Sequence, residues 1–180
     1  DQLARAEGGR DARVAAVGAA FRQWENRVKR VNPDVPEPWM RDECRWDAGQ
    51  LLSFTNYDAS LGENYISLGG YGWYGFNQRA LGEDAMALLP WFPDLSRSCL
   101  RFMSRTQYAS GDMPQSHGFS HEMTRRPAPD MVDSSDTEIW FLLGCGELGL
   151  LHADALDEPI PYRDGEDAPL WDHCRRAFRW

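Results

Sequence analysis

Apolar residues recur at steps of three and four positions along most of the chain, and this spacing predicts α-helices. The first predicted helix extends from Asp11 to Val31, and the proline-rich stretch 33–38 ends it. The same criterion predicts five further helices at residues 39–54, 78–89, 95–107, 139–152 and 171–180. No segment shows the alternation of apolar and polar residues that is typical of a β-strand. The pattern therefore predicts an all-α fold with about six helices.

Polar side chains that cap helix N-termini mark two of these boundaries. Asp94 is predicted to be the N-cap of the helix at 95–107. Ser135 and Glu138 fit a capping box that opens the helix at 139–152. Asp136 then stands at the first helical position, from which it could face a site and accept hydrogen bonds from sugar hydroxyls.

Two long segments, 58–75 and 110–133, separate the helices and are typical of functional loops rather than of connectors. The first contains five glycines and four aromatic residues, and the second contains prolines and two histidines. Glycine permits tight turns and a close approach of a ligand to the backbone. Long loops at intervals between helices suit a helical toroid whose loops form a site at one end.

Composition narrows the range of partners and compartments. The net charge is −9 with no basic run, which argues against binding to nucleic acid or to an anionic membrane. No apolar stretch reaches the ~18 residues of a membrane span. The four cysteines form no C-x-x-C pair, so we expect buried free thiols and a cytoplasmic location, with a disulfide as the alternative.

The eight Trp, six Tyr and eight Phe residues have two interpretations. They are large core residues, which composition alone favours, or they are flat surfaces on which sugar rings stack. The aromatic residues of the first loop, Tyr71 and Trp73 among them, fit the second interpretation.

Glu83 and Asp84 follow the glycine- and aromatic-rich loop, near the first turn of the helix at 78–89. Adjacent helical residues point about 100° apart, so only one of the two carboxyls can face a site. A carboxylic acid in a partly dry aromatic pocket has a raised pKa and can act as a general acid. Acidic residues in a first turn also stabilise a helix through its dipole. The residues alone leave the two interpretations evenly balanced.

The second loop places Gln115 and His117 on a segment suited to the recognition of hydroxyls. His117, His121 and Glu122 have no recognised zinc-ligand spacing, so we predict no metal. The chain also lacks a P-loop, a dinucleotide fingerprint and a G-x-S-x-G elbow, and we predict no cofactor.

Several short motifs occur together in a recognisable order. They are Trp39-Met40-Arg41, Gly69-Gly70-Tyr71, Arg79 with residues 83–90, Gly111-Asp112, Ser135-Asp136 before Trp140, and residues 170–177. From about residue 12 onward the chain resembles the catalytic barrel of glycoside hydrolase family 94, which includes cellobiose and chitobiose phosphorylases and cyclic β-glucan enzymes. It resembles equally the glycoside hydrolases related to that clan and to glycogen-debranching glucosidases. The fold that this resemblance implies is an (α/α)6 toroid.

The resemblance implies an enzyme that acts on an oligosaccharide, with Asp84 as the general acid of an inverting mechanism. The residues expected to hold the sugar are Tyr71, Trp73, Arg79, Gln115, His117 and Asp136.

Two departures from the family pattern favour hydrolysis over phosphorolysis. The phosphorylases have a Gln-Asp pair where this chain has Glu83-Asp84. Their histidine-rich motif, which helps to bind phosphate, is replaced here by residues 113–117. A glycoside phosphorylase that uses inorganic phosphate is the first alternative. A non-catalytic helical carbohydrate-binding or interaction module is the second.

Length suggests that residues 1–180 are the N-terminal half of such a barrel. Twelve helices of ~11–12 residues with connectors of ~4–6 residues require about 200 residues, and the long loops raise that number. We therefore expect the second catalytic carboxylate beyond residue 180 and little activity from these 180 residues alone. We also expect an exposed apolar patch and a tendency to form homo-oligomers.

Overall fold

The computed structural model describes residues 10–67, 75–114, 116–118 and 136–180, and within them the fold is mainly helical. The helices are α1 (Arg10–Val28), α2 (Pro38–Ser53), α3 (Gln78–Leu88), α4 (Pro93–Thr106), α5 (Thr137–Leu151) and α6 (Leu170–Arg179). A short 3-10 helix covers Ala153–Asp157. The predicted helices are thus confirmed, with boundaries that differ by a few residues.

The prediction of a chain without strands is wrong, because three two-stranded antiparallel sheets occur among the described residues. The pairs are β1 (Thr55–Asp58) with β2 (Glu63–Ile66), β3 (Gly75–Asn77) with β4 (Ser116–Gly118), and β5 (Pro159–Pro161) with β6 (Asp167–Pro169). Strands of three or four residues are too short to show an alternation in the sequence. The all-α class therefore holds only in the coarser sense of a mainly helical fold.

The chain forms two compact units, residues 1–50 and residues 51–180. In the first unit α1 packs on α2, and a methyl group at Gly49 would lie 3.0 Å from the Trp24 ring. Arg45 Nε donates a hydrogen bond of 2.9 Å to the Val31 carbonyl. Every candidate site residue lies in the second unit.

The second unit has a core formed by α3, α4 and α5. The buried apolar residues on these helices are Leu81, Ala85, Leu88, Leu95, Cys99, Leu100, Phe102, Met103, Phe141, Cys145 and Leu148. Cys99 and Phe102 lie on the buried face of α4. Ser96 Oγ donates a hydrogen bond of 2.6 Å to the Ala85 carbonyl, which ties α4 to α3 inside this core.

Helices α3 and α5 run parallel and approach each other closely through glycine. A methyl group at Gly82 would lie 2.9 Å from Cβ of Trp140 and 3.2 Å from its carbonyl carbon. One turn further along both helices, a methyl group at Gly144 would lie 3.6 Å from Cγ of Met86. Because the contacts follow the same order along both helices, the N-terminal ends of α3 and α5 lie side by side.

A charged network fastens the first hairpin to α4. Arg97, Arg101 and Arg105 recur at four-residue intervals and so lie on one face of the helix. Glu63 of β2 pairs with Arg101 at 2.6 Å and with Arg105 at 3.3 Å. Glu158 pairs with Arg97 at 2.6 Å and with Arg101 at 2.9 Å. These ion pairs fix the position at which β2 begins.

The helix starts differ from the predicted caps. Helix α4 begins at Pro93 with Phe92 as its N-cap residue, so Asp94 lies in the first turn and its assignment as the cap is wrong. Proline is favoured at the first helical position because it has no N–H to leave unpaired. Helix α5 begins at Thr137 with Asp136 as its N-cap residue, and Ser135 lies outside the described residues.

One face of α5 is exposed and apolar. Ile139, Leu143 and Leu150 lie on this face and are largely exposed, and Gly146 between them has no atom within 4 Å of its missing Cβ. The expected self-association through an apolar patch stays a prediction. No helix among the described residues is long and apolar enough to cross a bilayer.

Substitution of Gly82 tests the contact between α3 and α5. We expect Gly82→Ala to lower the free energy of unfolding by about 1–3 kcal/mol, because the added methyl meets the Trp140 backbone and overpacks the contact. Gly146→Ala is the matched control, since it has open space and gains about 0.5–1 kcal/mol of helix propensity. Urea unfolding followed by circular dichroism measures both. A stabilising Gly82→Ala would contradict the close approach.

Candidate functional site

The two loops singled out in the sequence meet in the β3–β4 ladder. Gly75 is paired with Gly118, Phe76 with His117, and Asn77 with Ser116. The glycine- and aromatic-rich segment therefore ends against the segment that follows Gln115. The described part of the molecule includes neither Gln115 nor Tyr71, Trp73, His121 and Glu122, and for His117 it gives the backbone register alone.

Helix α3 starts directly after this ladder, with Asn77 as its cap. The Asn77 side chain accepts a hydrogen bond of 2.9 Å from the backbone N–H of Arg79. Such a cap satisfies one of the backbone donors that a helix N-terminus leaves free. The ladder and the cap together fix the first turn of α3 with respect to the second loop.

Arg79 and Asp136, two of the predicted site residues, are in direct contact. Arg79 Nε lies 3.0 Å from Oδ2 of Asp136 and 3.2 Å from Oε1 of Glu83. All three side chains are partly exposed. The guanidinium thus bridges the first turns of α3 and α5, whose N-terminal ends are adjacent.

Asp84 occupies a different side of α3 from Arg79. The two are five residues apart, so their side chains point about 140° apart at 100° per residue. Burial raises the pKa of the Cys99 thiol on α4, and the negative charges of Asp84 and Glu63 raise it further, so Asp84 lies within electrostatic range of this thiol. The predicted general acid is therefore on a different side of α3 from the Arg79–Asp136 pair.

The Asp84 carboxyl is largely buried, and its Oδ2 has no hydrogen-bond partner among the described residues. Burial raises the pKa of this carboxyl to about 7, with a further contribution from the negative charge of Glu83. Glu83 itself is paired with Arg79. The two adjacent carboxyls thus have different environments, as the helical geometry requires.

Glu138 is a further buried carboxyl, which the sequence indicated only as a capping residue. Its Oε1 accepts a hydrogen bond of 3.1 Å from the backbone N–H of Met113. Burial raises the pKa of Glu138, and the negative charges of Asp112 and Asp136 raise it further. Glu138 therefore fixes the start of the second loop against the first turn of α5.

Gln78, the first residue of α3, follows the glycine- and aromatic-rich run directly before Arg79, and the sequence analysis assigned it no role. Its side chain is fully buried, and neither amide atom has a hydrogen-bond partner within the described part of the chain. The signal in the sequence was the position of this polar residue along the predicted helix. Gln78 lies on the same helical face as Leu81, Gly82 and Ala85, where a core pattern requires apolar residues.

Among the described residues, the charges around the Arg79–Asp136 pair are predominantly negative. The Arg79 guanidinium is paired with Glu83 and Asp136, and the negative charge of Asp136 raises the pKa of the neighbouring Glu138 after the larger effect of burial. Such a field favours neutral or cationic ligands over anions. Neutral polyhydroxy compounds also match the hydrogen-bonding groups that carboxylate and guanidinium side chains offer.

Within residues 10–67, 75–114, 116–118 and 136–180, no group of three or more His, Cys, Asp or Glu side chains could hold a metal ion. The four cysteines are free, and the expected burial is confirmed for Cys99, Cys145 and Cys174. It is wrong for Cys44, whose position on α2 is exposed.

No protein-family model matches the chain, and no curated protein matches it significantly.

The raised pKa of Asp84 predicts a specific dependence of stability on pH. The carboxyl ionises near 3.8 in the unfolded chain and near 7 in the folded protein. As the pH rises above 3.8, the unfolded chain loses its proton first, so the free energy of unfolding falls until the pH passes 7. We expect wild-type protein to lose roughly 2 kcal/mol more than Asp84→Asn between pH 5 and pH 8.

Urea unfolding of both proteins at these two pH values measures this difference, and other titrating groups cancel in the comparison. An identical loss in the two proteins would mean that Asp84 titrates normally.

Proposed function

We propose that the protein is a glycoside hydrolase that acts on a neutral oligosaccharide by inversion, with Asp84 as the general acid. Residues 1–180 are proposed to be part of an (α/α)6 toroid that is similar to the catalytic barrel of glycoside hydrolase family 94. The resemblance of the ordered motifs suggests this class, and the geometry around α3 and α5 supports it.

The observation that carries the proposal is the buried, partly unpaired carboxyl of Asp84. A pKa of about 7 keeps a substantial fraction of this carboxyl protonated at neutral pH. A general acid whose pKa lies near the working pH can protonate a leaving oxygen efficiently. Oδ2 is buried and has no hydrogen-bond partner among the described residues, and these surroundings favour the protonated carboxyl that a general acid needs.

Helix directions support the proposed toroid. Helix α4 follows α3 after residues 89–92 and packs back on it, and α5 then runs parallel to α3. In a toroid of helix pairs, alternate helices run in the same direction, and the loops that precede one set lie at the same end. Here the segments that precede α3 and α5 are the two long ones, and β3–β4 joins them.

The residues proposed to bind the sugar lie around the N-terminal ends of α3 and α5. Arg79 and Asp136 provide donors and acceptors for ring hydroxyls in one contact pair. Tyr71, Trp73, Gln115 and His117 are proposed to complete the site by stacking and hydrogen bonding. An inverting mechanism also needs a second carboxylate about 6.5–9.5 Å from Asp84, with room for the attacking water.

The charge of the site favours hydrolysis over phosphorolysis. An inorganic phosphate would have to bind among several carboxyls, and Arg79 already pairs with two of them. Repulsion between like charges opposes such binding. Water carries no charge and meets no such barrier.

Product analysis tests the proposal. The protein is incubated with cello- and chito-oligosaccharides with and without inorganic phosphate, and the products are identified by NMR. We expect free sugars whose first-formed anomer is inverted. Asp84→Asn should lower turnover about 10²–10⁴-fold because it removes the acid. Asp94→Asn, on the exposed first turn of α4, is the matched control and should leave turnover unchanged.

Three results would contradict parts of the proposal. Phosphate-dependent release of a sugar 1-phosphate would identify a phosphorylase. Unchanged turnover in Asp84→Asn would remove Asp84 from the mechanism. Tight sugar binding without turnover would identify a non-catalytic binding module.

A further inference from the structure

Two glutamines of the second unit are equally buried but differ completely in their bonding. Gln78 and Gln107 both have an exposure of 0%. Gln107 Nε2 donates hydrogen bonds to the carbonyls of Gly111 at 3.0 Å and His173 at 3.2 Å. Gln107 Oε1 lies 2.7 Å from Nδ1 of the His173 ring. By contrast, neither amide atom of Gln78 has a partner within the described residues.

The bonding of Gln107 explains its burial. It joins the end of α4 to the turn at Gly111 and to α6, and it satisfies each of its polar atoms in doing so. Buried polar groups are normally paired in this way, because an unpaired amide loses its hydrogen bonds to water without compensation. Gln78 breaks this rule at a position where an apolar side chain would pack.

The direction of the Gln78 side chain follows from the pairing of α3 with α5. Gln78 lies one turn before Gly82, on the same face of the helix. Gly82 contacts Trp140, and because the helices run parallel, the residue one turn before Trp140 is beside Gln78. That residue is Asp136, which already binds the neighbouring Arg79. Gln78 therefore lies on the face of α3 that packs against the first turn of α5, next to the Arg79–Asp136 pair.

We propose that Gln78 is a substrate-binding residue whose amide completes a subsite for a neutral sugar beside the Arg79–Asp136 pair. The amide Nε2 donates to one hydroxyl, and Oε1 accepts from a neighbouring hydroxyl. This complementary donor and acceptor pair suits adjacent hydroxyls of a sugar ring. The inference rests on the proposed function for the class of the ligand, and it adds a residue and a subsite to it.

A polar group kept for binding lowers the stability of the protein without its ligand. Substitution by methionine keeps the approximate length of glutamine and removes both polar atoms. We expect Gln78→Met to raise the melting temperature by about 2–4 °C, since it removes an unpaired amide. Gln107→Met is the matched control. We expect this substitution to lower the melting temperature by at least about 2–4 °C, because it leaves the Gly111 and His173 groups unpaired.

Ligand binding supplies the second measurement. Cellobiose, N,N′-diacetylchitobiose and inorganic phosphate are titrated separately into the wild-type protein and Gln78→Met, and the Kd is measured by calorimetry. We expect at least one sugar to bind the wild-type protein and the substitution to raise its Kd at least tenfold. Phosphate should bind neither protein.

Each of the other possible outcomes contradicts a specific part of the inference or of the proposed function. If Gln78→Met melts lower by as much as Gln107→Met, Gln78 is a structural residue and the inference fails. If Gln78→Met keeps the wild-type Kd for the sugar, the inference fails while the proposed function stands. If neither sugar binds the wild-type protein, both fail. If the wild-type protein binds phosphate and Gln78→Met does not, the subsite takes an anion and the assignment to a neutral sugar is wrong.

Discussion

The close approach of α3 and α5 is the constraint on which the candidate site depends. Gly82 allows the Trp140 backbone to pack where a side chain would otherwise stand, and the contact sets the helices parallel. Parallel packing brings two N-terminal ends together, and with them the two long segments that precede these ends. The β3–β4 ladder and the Arg79–Asp136 ion pair are consequences of this arrangement, since both join residues that are far apart in the sequence.

The packing of α3 also separates an exposed ion pair from a buried carboxyl on the same helix. Arg79 and Glu83 lie on the accessible side of α3, where an ion pair is screened and contributes little to stability. Asp84 points about 140° away from Arg79, and burial there favours its neutral form. Gln78 lies on the side that packs against α5. A helix of eleven residues thus carries an ion pair, a buried carboxyl and a core surface on different sides.

The sequence predicted those features that depend on local patterns. Apolar spacing located the helices, and the glycine- and aromatic-rich loop drew attention to Asp84 and Arg79. It did not predict β3–β4, because three-residue strands leave no pattern, nor the contact of Glu138 with Met113, because the partner is 25 residues away. The burial of Asp84 likewise arises from tertiary packing, which no local pattern in the sequence shows.

The ladder between β3 and β4 has a mechanical consequence. Three residue pairs link one strand that leads directly into α3 with another from the loop before α5. A displacement of either strand would pull the other with it or break the ladder. Residues 75–77 and 116–118 would therefore move as one unit, although about 40 positions separate them in the sequence.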